Sequence, residues 1–499
     1  MRLSKRDKKI RRVCLALQEK YYYDPVGFID SSIDFSGLSY HGLTKQQKEI
    51  ARSFVKYKRA CVAAGGGIGK TAIAAMLVVW GLLCHVDSKI IITGPSGKQL
   101  EDALWSEVGK WLRRCKYAGF VNYLSRKMTV GEMNEWRAVL RSPPKDNKEI
   151  NDSMAGLHAP WIAAFVDEAS GVSDQVFTAI EGSMTQDESY ILMISNPVSS
   201  GGYFYDTLTA EKDENGLRRG YKVYHYSSLD SPLVDKAYEQ RIISRYGKNS
   251  PMYKAKVLGL PISELESVVV PPDKFDEIVM NNRLYSDGSI VLSVDPSGGG
   301  ANPAVIMHKK GNSIIEWNEI QYTNPTDLTN RIVSLVKTRY VGEHVTVIVD
   351  AVGIGAGVYS NLESLRLFPV VGFIGSESAT NDSMFASKRV EGYWRLKEEF
   401  EHLHFPVVPP KRLKKELANL KFDFSRDSKG RIDMEPKKQF KSTLGFSPDF
   451  ADALMMSMMV DAFAVNFISG FIRRSHKNLF NKLTHKSQAS KFGKFGRFM

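Results

Sequence analysis

The chain of 499 residues predicts two α/β domains in succession, and three observations carry that prediction. Short, almost wholly apolar runs (ACVAA at 60–64, KIIITGP at 89–95, WIAAFVDE at 161–168, YILMISNP at 190–197) alternate with helical stretches. That alternation is the pattern of a parallel sheet covered on both faces. It lapses over residues 226–265 and resumes at SIVLSVDPSGGG (289–300), so a second α/β pattern follows the first. The length also exceeds what one ordinary core organises.

In chain order, residues 1–40 are basic and then aromatic and irregular, reading as an arm. Residues 41–265 form the first domain, and SVVVPPDKF opens a linker over 266–285. Residues 286–467 form the second domain, with strands at AVIMH, SIIEW and HVTVIVDAVG and a helix near 326–340. Residues 468–499 are a basic tail without an acidic residue, carrying Phe480, Phe492, Phe495 and Phe498. That tail reads as a DNA grip, a docking segment or a solubilising end.

Hydrophobic content of 43% and charged content of 25% describe a globular protein, and the net charge of +13 favours a polyanionic partner. Cys14, Cys61, Cys84 and Cys115 show no CxxC spacing, which argues against a zinc cluster or a disulfide framework. The start, MRLSKRDKKIRR, is followed by no apolar signal region, and AIAAMLVVWGLLC is too short to span a bilayer. A cytoplasmic location is expected.

The first domain carries a nucleotide constellation. Strand ACVAA runs into AAGGGIGKTA and then into a helix, so Gly65, Gly66, Gly67, Ile68 and Gly69 form a turn at a helix N-terminus. Small residues there let backbone amides wrap phosphates, with the helix dipole adding to the attraction. Lys70 would reach the β- and γ-phosphates of ATP, and the Thr71 hydroxyl would hold Mg²⁺. Ala64 stands where the strict pattern wants glycine. Asp167 ends an apolar strand and is expected on the same Mg²⁺, with Glu168 activating water. Gln47, ahead of the loop, is expected to read adenine, and Asn196, after Ser195 at a strand end, to sense the γ-phosphate. These parts make an ATPase of the P-loop, ASCE type.

The second domain repeats one theme, an apolar strand ending in aspartate: Asp295 in IVLSVDPSGGG and Asp350 in VTVIVDAVGIGAG. Asp449 and Asp452 open an apolar, Met-rich helix one turn apart. Buried carboxylates need cations, and hard oxygen ligands select Mg²⁺ or Mn²⁺. Two such ions can clamp the attacking and leaving oxygens of a phosphodiester. Two strand aspartates and a late helix aspartate form the layout of a ribonuclease-H-like nuclease.

Over residues 40–465 the ordered motifs GGGIGKTA, ITGPSGKQLEDALWSEV, SMAGLHAPWIAAFVDEAS, ILMISNP, HYSSLDSPLVD, YGKNSPMYKAKVLGLP, VLSVDPSGGG, VIVDAVGIGAG and GFSPDFADAL resemble the large subunit of tailed-phage terminases. That resemblance implies a viral DNA-packaging ATPase that drives double-stranded DNA into the procapsid, joined to a metal-dependent endonuclease that cuts concatemeric DNA when packaging starts and ends. It further implies a pentameric ring on the portal protein, a small terminase subunit as partner, and residence in the host cytoplasm. Lys70 and Thr71 then match the P-loop pair, and Asp167 and Glu168 the acidic pair. Asn196 falls in the coupling motif, Asp295, Asp350 and Asp449 match the nuclease triad, and Asp452 is an accessory ligand. The family often places arginine where Gly66 stands, so an arginine finger must come from elsewhere, with Arg126, Arg137 and Arg141 as candidates. A helicase–nuclease of DNA repair would need a second motor domain, for which residues 198–285 are too short. A DNA-binding structural ATPase would need Asp295, Asp350 and Asp449 to lie apart.

Overall fold

The computed structural model describes residues 3–142, 158–280, 287–297, 302–424, 427 and 429–460. The basic tail therefore lies outside the described residues. The chain divides into two compact units, one of residues up to Ser267 with Asp423–Gly430, the other of Val268–Phe422 with the residues from Arg431 on.

In the first unit the strands are β1 (Arg59–Ala64), β2 (Lys89–Thr93), β3 (Val121–Tyr123), β4 (Lys127–Val130), β5 (Met133–Leu140), β6 (Ile162–Asp167), β7 (Ser189–Ser195) and β8 (Lys222–Tyr226). They form one sheet in the order β3-β4-β5-β2-β6-β7-β1-β8. From β5 to β8 every neighbouring pair is parallel, while β3 and β4 add an antiparallel edge. Every residue of β6 and β7 is buried, which explains why these strands read as unbroken apolar runs. The register pairs Ala63 with Ser195 and Asp167 with Ile194, so β1, β6 and β7 end side by side. In open parallel sheets, ligands bind at such carboxyl ends.

The first forty residues differ from the irregular arm expected of them. Helices Lys5–Tyr21 and Pro25–Ser32 are built into the first core, with Ile10, Cys14, Leu17 and Tyr21 buried at helical spacing. The many basic residues of the first helix face outward and hide this stripe in a reading by composition. Asp7 accepts Glu132 N–H at 3.1 Å, and Trp80 donates to the Tyr21 carbonyl at 2.9 Å. The apolar helix Lys70–Cys84 is almost wholly buried beneath them. Among the described residues no helix is long and apolar enough to cross a membrane.

The second unit holds β9 (Ile290–Asp295), β10 (Ala304–Lys310), β11 (Ser313–Ile320), β12 (Val345–Asp350) and β13 (Val370–Phe373) in the order β11-β10-β9-β12-β13. The first three form an antiparallel meander, and β12 and β13 continue in parallel with β9. This is the ribonuclease-H-like order. The register pairs Val294 with Val349, placing Asp295 and Asp350 at adjacent strand ends. Helix Asp449–Ser457, buried along its length, packs against this sheet, with Phe450 edge-on to Trp317 at 5.7 Å. The stretch expected as a linker is partly integral here. Val268, Val269 and Val270 are buried, and Phe275 of helix Pro272–Met280 stacks on Phe400 at 5.7 Å. The division between the units falls at Ser267/Val268, within the expected joint, but its valines are core residues of the second unit.

Candidate functional sites

In the first unit, β1 delivers the chain into Gly65–Gly69 and the helix from Lys70. Gly67 and Gly69 both have φ near 80°, a conformation that favours glycine. A Cβ on Gly66 would lie 2.3 Å from the Tyr238 hydroxyl, so a side chain there would have to displace that tyrosine. The loop is braced from behind. Gly65 N–H donates to Tyr226 O at 2.9 Å, Gly66 N–H to Lys256 O at 2.8 Å, and Ser228 Oγ to Gly66 O at 2.8 Å. Lys70, only 8% exposed, donates to Asn196 Oδ1 at 3.1 Å, while Asn196 Nδ2 donates to Ala64 O at 2.6 Å. Asn196 thus links the loop's lysine to the strand before it.

Asp167 is buried at the end of β6, beside the Thr71 hydroxyl. Burial, then the neighbouring Glu168 charge, pushes its carboxyl up to about 7, against the pull of Lys70, the Glu168 amide and Thr71. Glu168 itself is left-handed at φ 47°, a conformation costly for a non-glycine residue. Ser195 Oγ lies 3.2 Å from Glu168 Oε2 and 2.8 Å from Ser170 Oγ, so β7 holds the glutamate's carboxylate. A hydroxyl beside a carboxylate too crowded to ionise freely is a donor set suited to a small hard cation.

Gln47, Arg126 and Arg137 have defined partners in the structure. The Gln47 amide is already engaged: Oε1 accepts Thr44 N–H at 3.0 Å in a capping box, and Nε2 donates to Gly69 O at 3.0 Å. It braces the loop through these bonds. The three candidate arginines have these surroundings within the chain. Arg126 pairs with Glu101 at 3.5 Å and hydrogen-bonds Ser142, and Arg137 pairs with Glu135 at 3.2 Å. Arg141 keeps a buried Nε without a hydrogen-bond partner among the described residues.

In the second unit, Asp295, Asp350 and Asp449 all feel the charges of Lys437 and Asp452, and Asp295 also that of Asp449. Burial, then Asp452 and Asp449, pushes the Asp295 carboxyl up to about 8, with Lys437 pulling the other way. Burial also raises Asp350 and Asp449. Among the described residues no three acidic, histidine or cysteine side chains form a finished metal cage. Instead the Lys437 ammonium stands among the carboxylates, 2.8 Å from Asp452 Oδ2 and 3.9 Å from Asp350 Oδ2. Carboxylates raised by burial and by the neighbouring Asp452 charge still fit a hard divalent cation, whose charge would favour their ionised form.

Asp452 departs from its expected role as an accessory ligand. Tyr393 donates to Oδ1 at 2.6 Å, Arg389 Nε lies 3.5 Å from the same oxygen, and Lys437 takes Oδ2. Burial works against its charge, yet Lys437 and Arg389 outweigh burial and hold the carboxyl below its ordinary range. It anchors cations. Asp449 is held by Arg412 at 2.7 Å, and Arg412 Nε also donates to Glu416 at 2.8 Å. Glu416 is fully buried and pushed up to about 8, chiefly by burial, and its second oxygen accepts Ala451 N–H at 2.7 Å. Sequence reasoning missed Lys437, Arg389, Tyr393, Arg412 and Glu416. The one signal within reach was RLKKE, whose Arg412 and Glu416 are spaced for a helical ion pair.

Fold and sites together define a P-loop nucleotide-binding unit joined to a ribonuclease-H-like unit with clustered carboxylates. Residues 57–260 match the family described as phage terminase large subunit. Over 305 residues the chain is 26% identical to a protein of Enterobacteria phage P7 named probable terminase, large subunit, covering 57% of this chain and 60% of that one. The match thus spans less than two thirds of that relative. The nuclease domain of the large terminase subunit gp2 of bacterial virus Sf6 aligns at 20% identity and a TM-score of 0.34, over 38% of this chain and 98% of that domain. A large terminase from a thermophilic bacteriophage aligns at 14% identity and a TM-score of 0.39, over 84% of this chain and 99% of that one. Likenesses of this strength add nothing to the topology already described.

Proposed function

We propose that the chain is the motor and nuclease of a phage DNA-packaging machine. The observation that carries this reading is the pairing, in one chain, of a lysine-bearing P-loop beside Asp167 and Glu168 with a second carboxylate centre at Asp295, Asp350 and Asp449. The first suits ATP hydrolysis and the second suits cutting of phosphodiesters. At the first site the amides of Gly67, Ile68, Gly69, Lys70 and Thr71 cradle the phosphates of ATP, Gly65 and Gly66 having given theirs to Tyr226 O and Lys256 O, and Thr71 and Asp167 hold Mg²⁺. Glu168, aimed by Ser195, orients and activates the attacking water, and Asn196 senses the γ-phosphate through Lys70. At the second site Asp295, Asp350 and Asp449 would hold Mg²⁺ or Mn²⁺, which supplies charge neutralisation at the scissile phosphate.

Double-stranded DNA is the substrate of both units, in keeping with the charge of +13. The portal protein, a small terminase subunit and further copies of this chain in a pentameric ring are the proposed partners, in the host cytoplasm and on the procapsid. An arginine finger reaches the P-loop from a neighbouring copy, Arg126, Arg137 and Arg141 being the candidates. The reading is tested by mixing the protein with procapsids, small subunit, ATP and linear DNA and then adding DNase. Protected genome-length DNA is expected with the wild type and not with Lys70→Ala. Protection independent of ATP and of Lys70 would refute the motor.

A further inference from the structure

The three carboxylates of the second site share one property: each has already given one oxygen to a protein donor. Asp295 Oδ1 accepts Ser297 N–H at 2.8 Å, and Asp350 Oδ1 accepts Val352 N–H at 3.3 Å. Asp449 Oδ2 accepts Arg412 at 2.7 Å. Among the described residues the second oxygens of Asp295 and Asp449 accept no hydrogen bond, while Asp350 Oδ2 faces the Lys437 ammonium at 3.9 Å, which a cation would displace. The first two donors are backbone amides just beyond the strand ends, but the third is a side chain held in place from several directions. Arg412 donates to Glu416 and to Ser447 O, each at 2.8 Å, and its guanidinium lies over the rings of Phe446 and Phe450 at 4.9 and 5.5 Å. A planar guanidinium held this way cannot swing off Asp449 without breaking those contacts.

Divalent ions differ in what they ask of such a set. Ca²⁺ collects about six to eight oxygens and often takes both oxygens of a carboxylate, whereas Mg²⁺ keeps a compact octahedron with single carboxylate oxygens and several waters. We infer that Arg412 is a specificity-determining residue: by leaving Asp449 one free oxygen, it makes the site accept Mg²⁺ or Mn²⁺ and reject Ca²⁺. The inference rests on the nuclease reading above and deepens it. Arg412 acts through Asp449, as a positioning residue, and touches no reacting atom.

The test is calorimetric titration of the full chain, without nucleotide or DNA, with Mn²⁺ and separately with Ca²⁺. The heat lost in Asp295→Asn marks this site. The wild type is expected to bind Mn²⁺ at least about tenfold more tightly than Ca²⁺. Arg412→Met, which keeps the packing on the two phenylalanines, is expected to bring the two affinities within about threefold through a gain for Ca²⁺. Arg412→Lys, still a cation on Asp449, is expected to keep most of the preference. Ca²⁺ bound as tightly as Mn²⁺ by the wild type overturns the inference, whether or not Arg412→Met folds. So does a parallel loss of both ions in a folded Arg412→Met, which would make the guanidinium a structural brace. A wild type with no heat that depends on Asp295 sinks the nuclease reading itself.

Discussion

Asp167 and Glu168 are neighbours in sequence with opposite surroundings. Asp167 is buried with its carboxyl raised from 3.8 to about 7, while Glu168 is held by Ser195 at the mouth of the same site. A raised carboxyl favours its neutral form in the fold, so the chain loses stability as pH climbs from about 4 through about 7. Asp167→Asn should therefore melt higher than the wild type at pH 8 without metal or nucleotide, by roughly 2 kcal/mol, and this advantage should vanish towards pH 4. Thermal melting across that range checks the sign. Glu168→Gln should retain nucleotide binding and lose at least about a hundredfold in kcat, measured by phosphate release and by equilibrium nucleotide binding. Both acids were legible in WIAAFVDE because strand end and charge coincide in sequence. Gln47 lies beside the loop as its position in sequence suggested, but its capping box was not legible, since capping and base reading leave the same trace in sequence.

Among the elements, the strands announce themselves and the helices that serve them do not. β9 and β12 each end in aspartate after an apolar run, and their adjacency follows from the parallel pairing of Val294 with Val349. The cations that stabilise these acids come from helices Lys388–Glu399, Lys411–Asn419 and Lys437–Leu444. Their pairings join Arg412 to Asp449 and Tyr393 to Asp452 across dozens of residues, and no local pattern encodes that. The same limit explains the arm and the linker: the stripe of Ile10, Cys14, Leu17 and Tyr21 and the run Val268–Val270 are core, masked by charge in one case and proline in the other. Helix Asp449–Ser457 depends on close approach by Gly392, where a Cβ would stand 2.4 Å from Met455 Sδ. Gly392→Val should wedge the two helices apart, costing about 1–3 kcal/mol in urea unfolding. DNA cleavage should fall at least about tenfold while ATP turnover stays within about twofold, because the aspartates ride on the displaced helix.

At the scale of the whole molecule, the order of motifs made the two-unit plan readable before any coordinate was known. What the order could not supply is the charge that completes ATP hydrolysis. Gly66 supplies no charge in the loop, and the Tyr238 hydroxyl stands where a side chain would begin. Arg126 and Arg137 are paired with glutamates of their own copy, and Arg141 keeps its Nε buried. If a neighbouring copy provides the finger, turnover per chain should fall at least about a hundredfold on dilution from ring to monomer. Constant turnover down to strictly monomeric protein, followed by sedimentation, would place the finger in the same chain.

The central claim is that one chain holds two separate chemistries, and the most direct test is cleavage of supercoiled plasmid with Mg²⁺ or Mn²⁺ by the wild type, Asp295→Ala and Lys70→Ala, with ATP turnover measured on the same preparations. The account predicts that the wild type nicks and linearises the plasmid and hydrolyses ATP, that Asp295→Ala keeps only hydrolysis, and that Lys70→Ala keeps only cleavage. Equal cleavage by all three proteins, or loss of both activities in either variant while the fold is intact, would contradict it.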